Sequence, residues 1–302
     1  MRLSITTDEL SLDLASALEI LTEVQGREFE LRALGLETLP DVEERWLVQA
    51  DKAVFKRLRV TSLAPRFFFD SFPSAEASEK LIVIAKRLKC TLISIYGTKR
   101  GVEAPETDDE EDFEDEDAIV LPPDEALDAM RAFIAAAARE NIGVALRTHP
   151  ETCAGTAREA LAIIDALRIL VGNGANAEKG APVVPPVGLD WDVANCFAAG
   201  DDSGLESLEE TLPQLRILRM RDAIRKGMGA DWVSLGKGVI PWQDILEQLY
   251  EGGYRGPVVL EPGVAPKLKE GRAALALAGR WIGACRVNSR GGGGQKDHDA
   301  EE

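Results

Sequence analysis

Short apolar runs alternate with longer segments of helical periodicity along most of the chain. In the longer segments, apolar residues recur every three or four positions, which places them on one face of a helix. We predict helices at residues 13–24, 42–56, 75–88, 124–140, 155–171, 205–212, 242–250 and 267–285. The apolar runs between them predict strands at residues 2–6, 29–32, 59–63, 91–96, 142–146, 187–191, 215–220 and 258–260.

This alternation of strands and helices predicts βα units and a parallel sheet. Eight such units in a chain of 302 residues match a (β/α)₈ TIM barrel. An open doubly wound sheet is the alternative, but its glycine-rich phosphate loop after an early strand is missing from the sequence. We therefore predict one barrel over residues 1–285, followed by a disordered charged tail over 286–302.

The formal net charge of −17 is concentrated in one segment. Residues 103–117 contain eleven acids and no Lys or Arg. This composition predicts a disordered acidic insertion at about 101–119, after the fourth strand; a calcium loop is the alternative, although EF-hand spacing is absent. Nucleic-acid binding is disfavoured because no basic stripe offsets the repulsion from phosphates.

Cysteine usage and hydropathy bear on the compartment of the protein. Four cysteines, at positions 90, 153, 196 and 285, are scattered without a CxxC pair, which is typical of reduced thiols. No apolar run is long enough to span a bilayer, and the first residues lack the apolar core of a signal peptide. We expect a cytoplasmic protein without a membrane partner.

Polar residues follow the predicted strands at the carboxyl ends, where barrel active sites lie. The apolar run 187–191 ends in acids, with Asp190 and Asp192 on the same side of the strand and Asn195 shortly after. The ends of the other strands carry Glu30, Arg32, Tyr96, Arg147, His149, Arg219, Arg221, Asp222 and Glu261. Carboxylates in such places can bind a metal, move a proton or pair with a cation.

Four segments carry a resemblance to a known family. They are the segments ALRTHP at 145–150, VGLDWDVAN at 187–195, LGKGVIPW at 235–242 and GYRGPVVLEP at 253–262. Together they resemble the xylose isomerase-like TIM-barrel proteins, which include sugar phosphate isomerases/epimerases and endonuclease IV relatives. The resemblance covers nearly the whole chain and implies the same barrel fold.

The resemblance also implies a metal site, from which this chain departs. In the family a divalent metal is typically held by a Glu ending strand five, an Asp ending strand six, a His ending strand seven and a Glu ending strand eight. By position these correspond to Arg147, Asp192, Arg219 and Glu261. Arginine is always protonated and has no lone pair for a metal. Two arginines, one Asp and one Glu are neutral together, so we predict ion pairs and no cofactor. Mn, Mg, Zn or Co would bind only if other ligands complete the site.

Two functions remain open at this point. The first is a sugar phosphate isomerase/epimerase homologue that acts on a small sugar or polyol, with Glu261, His149 and Asp192 as catalytic residues. Its predicted substrate-binding residues, which would contact a sugar or sugar phosphate, are Arg147, Arg219, Arg221, Asn195 and Trp191. The second is a catalytically inactive barrel that binds an anionic small molecule or a protein partner. An arginine beside Glu261 lowers its pKa and weakens it as a base, and His149 is read either as a second proton-transfer group or as a structural histidine.

Overall fold

The computed structural model describes residues 1–34, 37–45, 47–48, 51, 58–66, 68, 74–100, 119–168, 187–201, 204–227 and 229–291. Nearly all of the acidic insertion predicted at about 101–119 lies outside these residues, as does the tail beyond residue 291. Much of the helix predicted at 42–56 also lies outside them.

Eight parallel strands close into a barrel, as the alternating pattern predicts. The barrel strands are β1 (Arg2–Thr6), β2 (Glu28–Leu31), β5 (Arg59–Leu63), β6 (Leu92–Tyr96), β7 (Gly143–Arg147), β8 (Val187–Asp192), β9 (Leu215–Met220) and β12 (Pro257–Leu260). Their order around the barrel is β1-β12-β9-β8-β7-β6-β5-β2. The (β/α)₈ prediction is confirmed, and the carboxyl ends of all eight strands meet at one end, the mouth.

Helices surround the barrel in the described residues. They are α1 (Leu14–Glu23), α2 (Ala75–Arg87), α3 (Asp124–Arg139), α4 (Ala157–Arg168), α5 (Val193–Ala198), α6 (Leu208–Thr211), α7 (Trp242–Glu251) and α8 (Lys267–Gly291). Helix α8 continues past its predicted end at Cys285, so the predicted start of the tail at 286 is too early. The Arg286 guanidinium donates to the Met1 carbonyl oxygen at 2.7 Å, which ties the end of this helix to the start of β1.

The apolar core forms two unequal layers. Outward-facing strand residues such as Leu189 and Trp191 pack with the helices in one large cluster of buried side chains. Inside the barrel, a small apolar layer is formed by Ala145, Ile217 and Val259. Because strand residues alternate between the two faces, the inward positions closer to the carboxyl ends are the ones that carry charge.

Two short hairpins extend from strand ends and were not predicted. β3 (Ala33–Leu34) pairs with β4 (Glu37–Thr38), and β10 (Asp222–Lys226) pairs with β11 (Gly229–Val233). The turn after β11 is held by Asp222, whose Oδ2 accepts hydrogen bonds from the backbone N–H of Gly236 at 2.8 Å and of Gly238 at 3.0 Å. Asp222 therefore fixes the loop that borders the mouth.

None of the four cysteines forms a disulfide, and all four are buried. None of the helices in the described part of the chain has the length and apolar character needed to cross a membrane.

Candidate functional site at the barrel mouth

Charged side chains fill the interior of the barrel just below the mouth. Each of them is buried, and they come from five different strands or the residues that directly follow them. The members of this mouth cluster are Arg32, Arg147, Arg219, Arg221, Glu30, Asp190, Asp192 and Glu261. With every group ionised the cluster carries no net formal charge, as a buried set of ions requires.

Arg219 is at the bottom of the mouth cluster and bridges the barrel. Its Nη1 donates to Glu30 Oε1 at 2.6 Å and its Nη2 to Glu30 Oε2 at 2.9 Å. On the other side, its Nε donates to Asp190 Oδ1 at 3.1 Å. Both carboxylates also accept from hydroxyl groups, Glu30 from Ser62 at 2.7 Å and Asp190 from Ser94. Every N–H on this guanidinium faces an acceptor, which leaves it little capacity to bind a ligand.

Arg147 lies between the two carboxylates inherited from the family pattern. Its Nη2 is 2.8 Å from Asp192 Oδ2 and 3.0 Å from Glu261 Oε2. Arg219 Nη1 is 3.1 Å from the same Glu261 oxygen. The ion pairs predicted for both arginines are therefore present.

Asp192 ends β8 and starts α5. Its Oδ1 accepts from the Asn195 backbone N–H at 3.1 Å, so it is the N-cap of that helix. Arg221 holds the same carboxylate, with Nη2 2.6 Å from Asp192 Oδ2, and donates to Asn195 Oδ1 at 2.6 Å. The guanidinium of Arg221 also lies over the Trp232 ring of β11, 4.3 Å from its centroid. Asn195 and Arg221 therefore position Asp192.

A fourth arginine extends the cluster to the first strand. Arg32 Nη1 donates to Glu261 Oε1, and its Nη2 donates to Asp8 Oδ2 at 2.7 Å. Glu9 Oε1 accepts from the same nitrogen at 3.2 Å and lies 3.1 Å from Lys267 Nζ. Sequence reasoning missed Asp8 and Glu9 because they follow β1 in a 3₁₀ turn with no motif around them.

The arginines control the protonation of the carboxylates. Burial alone would raise the pKa of Glu261, but Arg147, Arg32 and Arg219 hold it well below its ordinary value. The same opposition of burial and neighbouring guanidinium groups leaves the pKa values of Glu30 and Asp192 lowered. For Asp190, burial outweighs the nearby Arg219 and the pKa is raised. An ionised Glu261 held by three cations is a weak base.

His149 lies beside the cluster, in an aromatic setting. Its ring is edge-on to Tyr96, with centroids 5.2 Å apart, and edge-on to Phe68 at 6.0 Å. Burial and the charge of Arg147 lower its pKa, so the ring is neutral near pH 7. The Glu151 backbone N–H donates to His149 Nδ1 at 3.3 Å, which assigns the ring proton to Nε2. In this state His149 offers a donor at Nε2.

Some buried donors of the mouth cluster have no acceptor in the part of the chain that the structure describes. They are Nε and Nη1 of Arg147 and Nε of Arg32. The guanidinium carbon of Arg147 lies 5.2 Å from the Tyr96 ring centroid, so part of its unpaired edge faces an aromatic surface. Buried N–H groups without acceptors are costly, and a bound anion would satisfy them.

The residues at the family's four ligand positions do not fit a metal ion. Arg147 Nη2 contacts both remaining carboxylates, Asp192 and Glu261, and so occupies the space between them. Among the described residues, no group of three or more His, Cys, Asp or Glu side chains could hold a metal. A cation added here would meet four guanidinium groups.

Trp191 lies apart from the other predicted site residues. It is completely buried in the outer core between the strands and the helices, and the mouth is on the other side of the strand. This placement favours a packing role. The structure brings together Arg147, Arg219, Arg221 and the carboxylates of Asp192 and Glu261, with Asn195 at their edge and His149 nearby.

Comparison with known proteins identifies the class to which this barrel and its mouth belong. The family model "Xylose isomerase-like TIM barrel" matches residues 25–282. The chain belongs to this family. No curated protein sequence matches it.

Solved structures agree on the fold. The xylose isomerase domain protein from Planctomyces limnophilus is 18% identical with a TM-score of 0.63, covering 95% of this chain and 98% of that one. An L-ribulose 3-epimerase is 13% identical with a TM-score of 0.68, covering 98% of this chain and 99% of that one. A xylose isomerase-like barrel from Mycobacterium smegmatis, solved with magnesium, is 16% identical with a TM-score of 0.63, covering 90% of this chain and 88% of that one. The neighbours thus include an epimerase and a magnesium complex.

Proposed function

We propose that this protein binds a small anionic sugar derivative at the barrel mouth and does not carry out the family's metal-dependent isomerisation. The observation that carries the proposal is the position of Arg147. Its Nη2 lies 2.8 Å from Asp192 and 3.0 Å from Glu261, between the two carboxylates that match the family's ligand pattern. A guanidinium fixed to the chain thus supplies the positive charge that a metal supplies in relatives.

The free donors favour a phosphate or carboxylate as the group bound. Arg147 presents Nε and Nη1 without acceptors in the part of the chain that the structure describes, and guanidinium groups bind both anions in a bidentate manner. His149 adds an uncharged N–H donor, and Tyr96 adds an aromatic face beside it. A sugar phosphate or a sugar acid combines the required anion with hydroxyl groups for such donors.

The protonation of Glu261 argues against proton transfer. Epimerisation and aldose–ketose isomerisation require a group that accepts a proton from carbon. Glu261 contacts Arg32, Arg147 and Arg219, and its lowered pKa makes it a poor acceptor. His149 in its assigned tautomer is a donor rather than a base.

The second candidate is an active isomerase or epimerase that uses Glu261, His149 and Asp192. It is favoured by the neutral state of His149 at pH 7, in which Nδ1 can accept a proton if its contact with the Glu151 N–H breaks. This candidate requires sugar turnover by the purified protein.

Metal content separates the two candidates. We expect metal analysis of the purified protein to find less than about a tenth of an equivalent of Mn, Mg, Zn or Co, and added metal to leave the melting temperature unchanged. Stoichiometric metal in the wild type, with isomerase or epimerase activity, would overturn the proposal.

Ligand class is tested by thermal shift with fructose 6-phosphate, gluconate and fructose. The two anionic probes should raise the melting temperature of the wild type, while fructose should not. Arg147→Gln keeps a polar side chain but loses the charge, and the shift should disappear. Arg272→Gln, which removes an exposed arginine of α8 outside the mouth, is the matched control and should keep it. Equal shifts for fructose and its phosphate would contradict an anion site.

A further inference from the structure

A second pocket opens at the amino-terminal ends of the barrel strands, opposite the mouth. It has a volume of about 990 Å³. We call it the basal pocket; its main lining residues are Arg2, Leu92, Gly143, Arg216, Tyr254 and Arg255. The pocket is large enough for a small organic ligand.

The basal pocket is positively charged on a strongly acidic chain. Three arginines, Arg2, Arg216 and Arg255, line it, and none of its lining residues in the described part of the chain is Asp or Glu. Arg2 also faces Glu28 beside the pocket, with Nε 3.8 Å from Oε1. The pKa of the neighbouring N-terminal ammonium is lowered by burial and by the charges of Arg286, Arg255 and Arg2. Since the net charge of the chain is −17, this positive potential is a local feature.

Arg216 has no counter-ion among the described residues. Within the described residues its guanidinium forms no ion pair and no hydrogen bond, although the side chain is about half-buried. Burial and the charge of Arg168 lower its pKa, which reflects a cation held away from water and close to another cation. A desolvated guanidinium without an acceptor is unfavourable, and an anionic ligand would relieve that cost.

The barrel makes specific room for Arg216. A Cβ on Gly188 would lie 2.5 Å from Arg216 Cγ and 2.9 Å from its Nε, so the arginine stem packs directly over the glycine backbone. The paired strands shift register between Leu189 and Asp190, next to this contact. The arginine is therefore packed against the barrel wall.

The floor of the basal pocket is apolar. Leu92 lines the pocket and packs on the inner layer of Ala145, Ile217 and Val259. Tyr254 contributes ring surface only, because its hydroxyl already donates to the Pro257 carbonyl oxygen at 2.7 Å. Arginines above an apolar floor suit an anion attached to a carbon skeleton.

We propose that the basal pocket is a second binding site, for a small organic polyanion that carries two or more carboxylate or phosphate groups. Arg216 and Arg2 hold one anionic group, and Arg255 at the exposed edge contacts another. This site is separate from the mouth and does not depend on the function proposed for it.

The test is calorimetric titration of the full chain with citrate and with pyrophosphate at constant ionic strength. Both should bind at a site that depends on Arg216, and citrate should bind there more tightly because its carbon skeleton contacts the apolar floor. Arg216→Gln should weaken binding at least tenfold, and Arg216→Lys, which keeps the charge, should weaken it less. Arg255→Gln, an exposed change that leaves the core intact, should also weaken it. Arg272→Gln, which removes an exposed arginine of α8 outside both sites, is the matched control and should bind like the wild type. Arg147→Gln should lose only binding at the mouth and keep the binding that depends on Arg216.

Two outcomes would overturn the proposal. One is the absence of citrate binding at concentrations of about 10 mM, where a polyanion site formed by three arginines should be largely filled. The other is binding that Arg147→Gln abolishes and Arg216→Gln preserves, since the anion would then occupy the mouth. Melting temperatures of all variants establish that any loss of binding comes from a folded protein.

Discussion

At the scale of single residues, the mouth cluster depends on each arginine having more than one acceptor. Arg219 illustrates this, because it is completely buried and contacts Glu30, Asp190 and Glu261 at once. Removing one partner from a buried set of ions leaves the others uncompensated, which costs more than the original pairing contributed. The arginines should therefore be more sensitive to substitution than the apolar residues around them.

We expect Arg219→Met to destabilise the fold by about 3–5 kcal/mol, because Glu30 and Asp190 lose their shared guanidinium inside the barrel. Urea unfolding measures the change. Arg272→Met removes an exposed pair with Glu23 and should change stability by less than about 1 kcal/mol. Equal effects of the two substitutions would show that the buried pairing is not required.

The carboxylates also predict how stability depends on pH. The pKa values of Glu30, Asp192 and Glu261 are lowered in the folded protein, so their stabilisation is present at neutral pH. It is lost as the pH falls below the ordinary carboxyl values of about 4 and through the folded pKa values. Because the pKa of Asp190 is raised in the folded protein, protonation of Asp190 stabilises the fold as the pH falls and offsets part of the loss.

Urea midpoints measured between about pH 5 and pH 2 should therefore fall once the pH drops below about 4. Glu261→Gln removes one contributor and should flatten the curve over this range. A midpoint that stays constant down to about pH 2 would contradict the lowered pKa values.

At the scale of elements, the loop after β11 depends on a glycine. A Cβ on Gly238 would lie 2.1 Å from Asp222 Oδ1 and 2.4 Å from the Ala223 carbonyl oxygen. Since Asp222 also accepts the Gly238 N–H, the loop, the carboxylate and the start of β10 form one unit. Any side chain at position 238 separates them.

We predict that Gly238→Ala destabilises the protein by about 1–3 kcal/mol, through this contact and the weakened Asp222 hydrogen bonds. Gly283→Ala in α8 is the matched control: nothing lies within 4 Å of the added Cβ, so helix propensity should stabilise the protein by up to about 1 kcal/mol. Thermal denaturation of both variants measures the difference. A neutral Gly238→Ala would mean that the loop moves freely away from Asp222.

Sequence alone predicts the barrel but only part of its mouth. Alternating apolar runs locate all eight barrel strands, because each strand must bury one face against helices and the other inside the barrel. The β10–β11 hairpin was missed because its residues are half-exposed and carry no apolar alternation.

The ion pairs of Arg147 and Arg219 were predicted from the charge balance of the four positions that the family resemblance implies for a metal. The involvement of Glu30 and Asp190 was not predicted. Each of these acids is flanked by apolar residues within a strand, as in Phe29-Glu30-Leu31. A charged residue at an inward-facing strand position therefore predicts a buried ion pair, as in the mouth cluster. The contact of Asp8 with Arg32 has no such signal, because it depends on how a 3₁₀ turn folds over the mouth.

At the scale of the whole molecule, charge is divided unevenly. The segment 103–117 carries eleven acids, while the mouth cluster is neutral and the basal pocket is positive. The acidic segment follows β6 in the sequence, and the carboxyl end of β6 lies at the mouth. Its field should repel anions that approach the mouth, at distances up to the Debye length.

Deleting residues 103–117 changes the formal net charge from −17 to −6. We expect the barrel to keep its circular dichroism spectrum, and gluconate to bind the mouth more tightly at low ionic strength than it binds the full chain. The difference in affinity should vanish at about 1 M salt, where the Debye length is about 3 Å and the charges of the segment no longer reach the mouth. A difference that persists at high salt would indicate direct contact between the segment and the ligand.

The bond between Arg219 and Glu30 joins residues 189 positions apart and connects the two halves of the barrel. Arg32 and Glu261 connect the same halves in the other direction. A half-barrel folded alone would bury Glu30 without a guanidinium, so partly folded forms are penalised electrostatically as well as by exposed apolar surface. The mouth cluster should therefore make folding all-or-none, with tryptophan fluorescence and circular dichroism following one coincident urea transition. The arginines that we propose replace the metal at the mouth would then also couple the two halves of the barrel during folding, because their ion pairs form only when the last strands have joined the first.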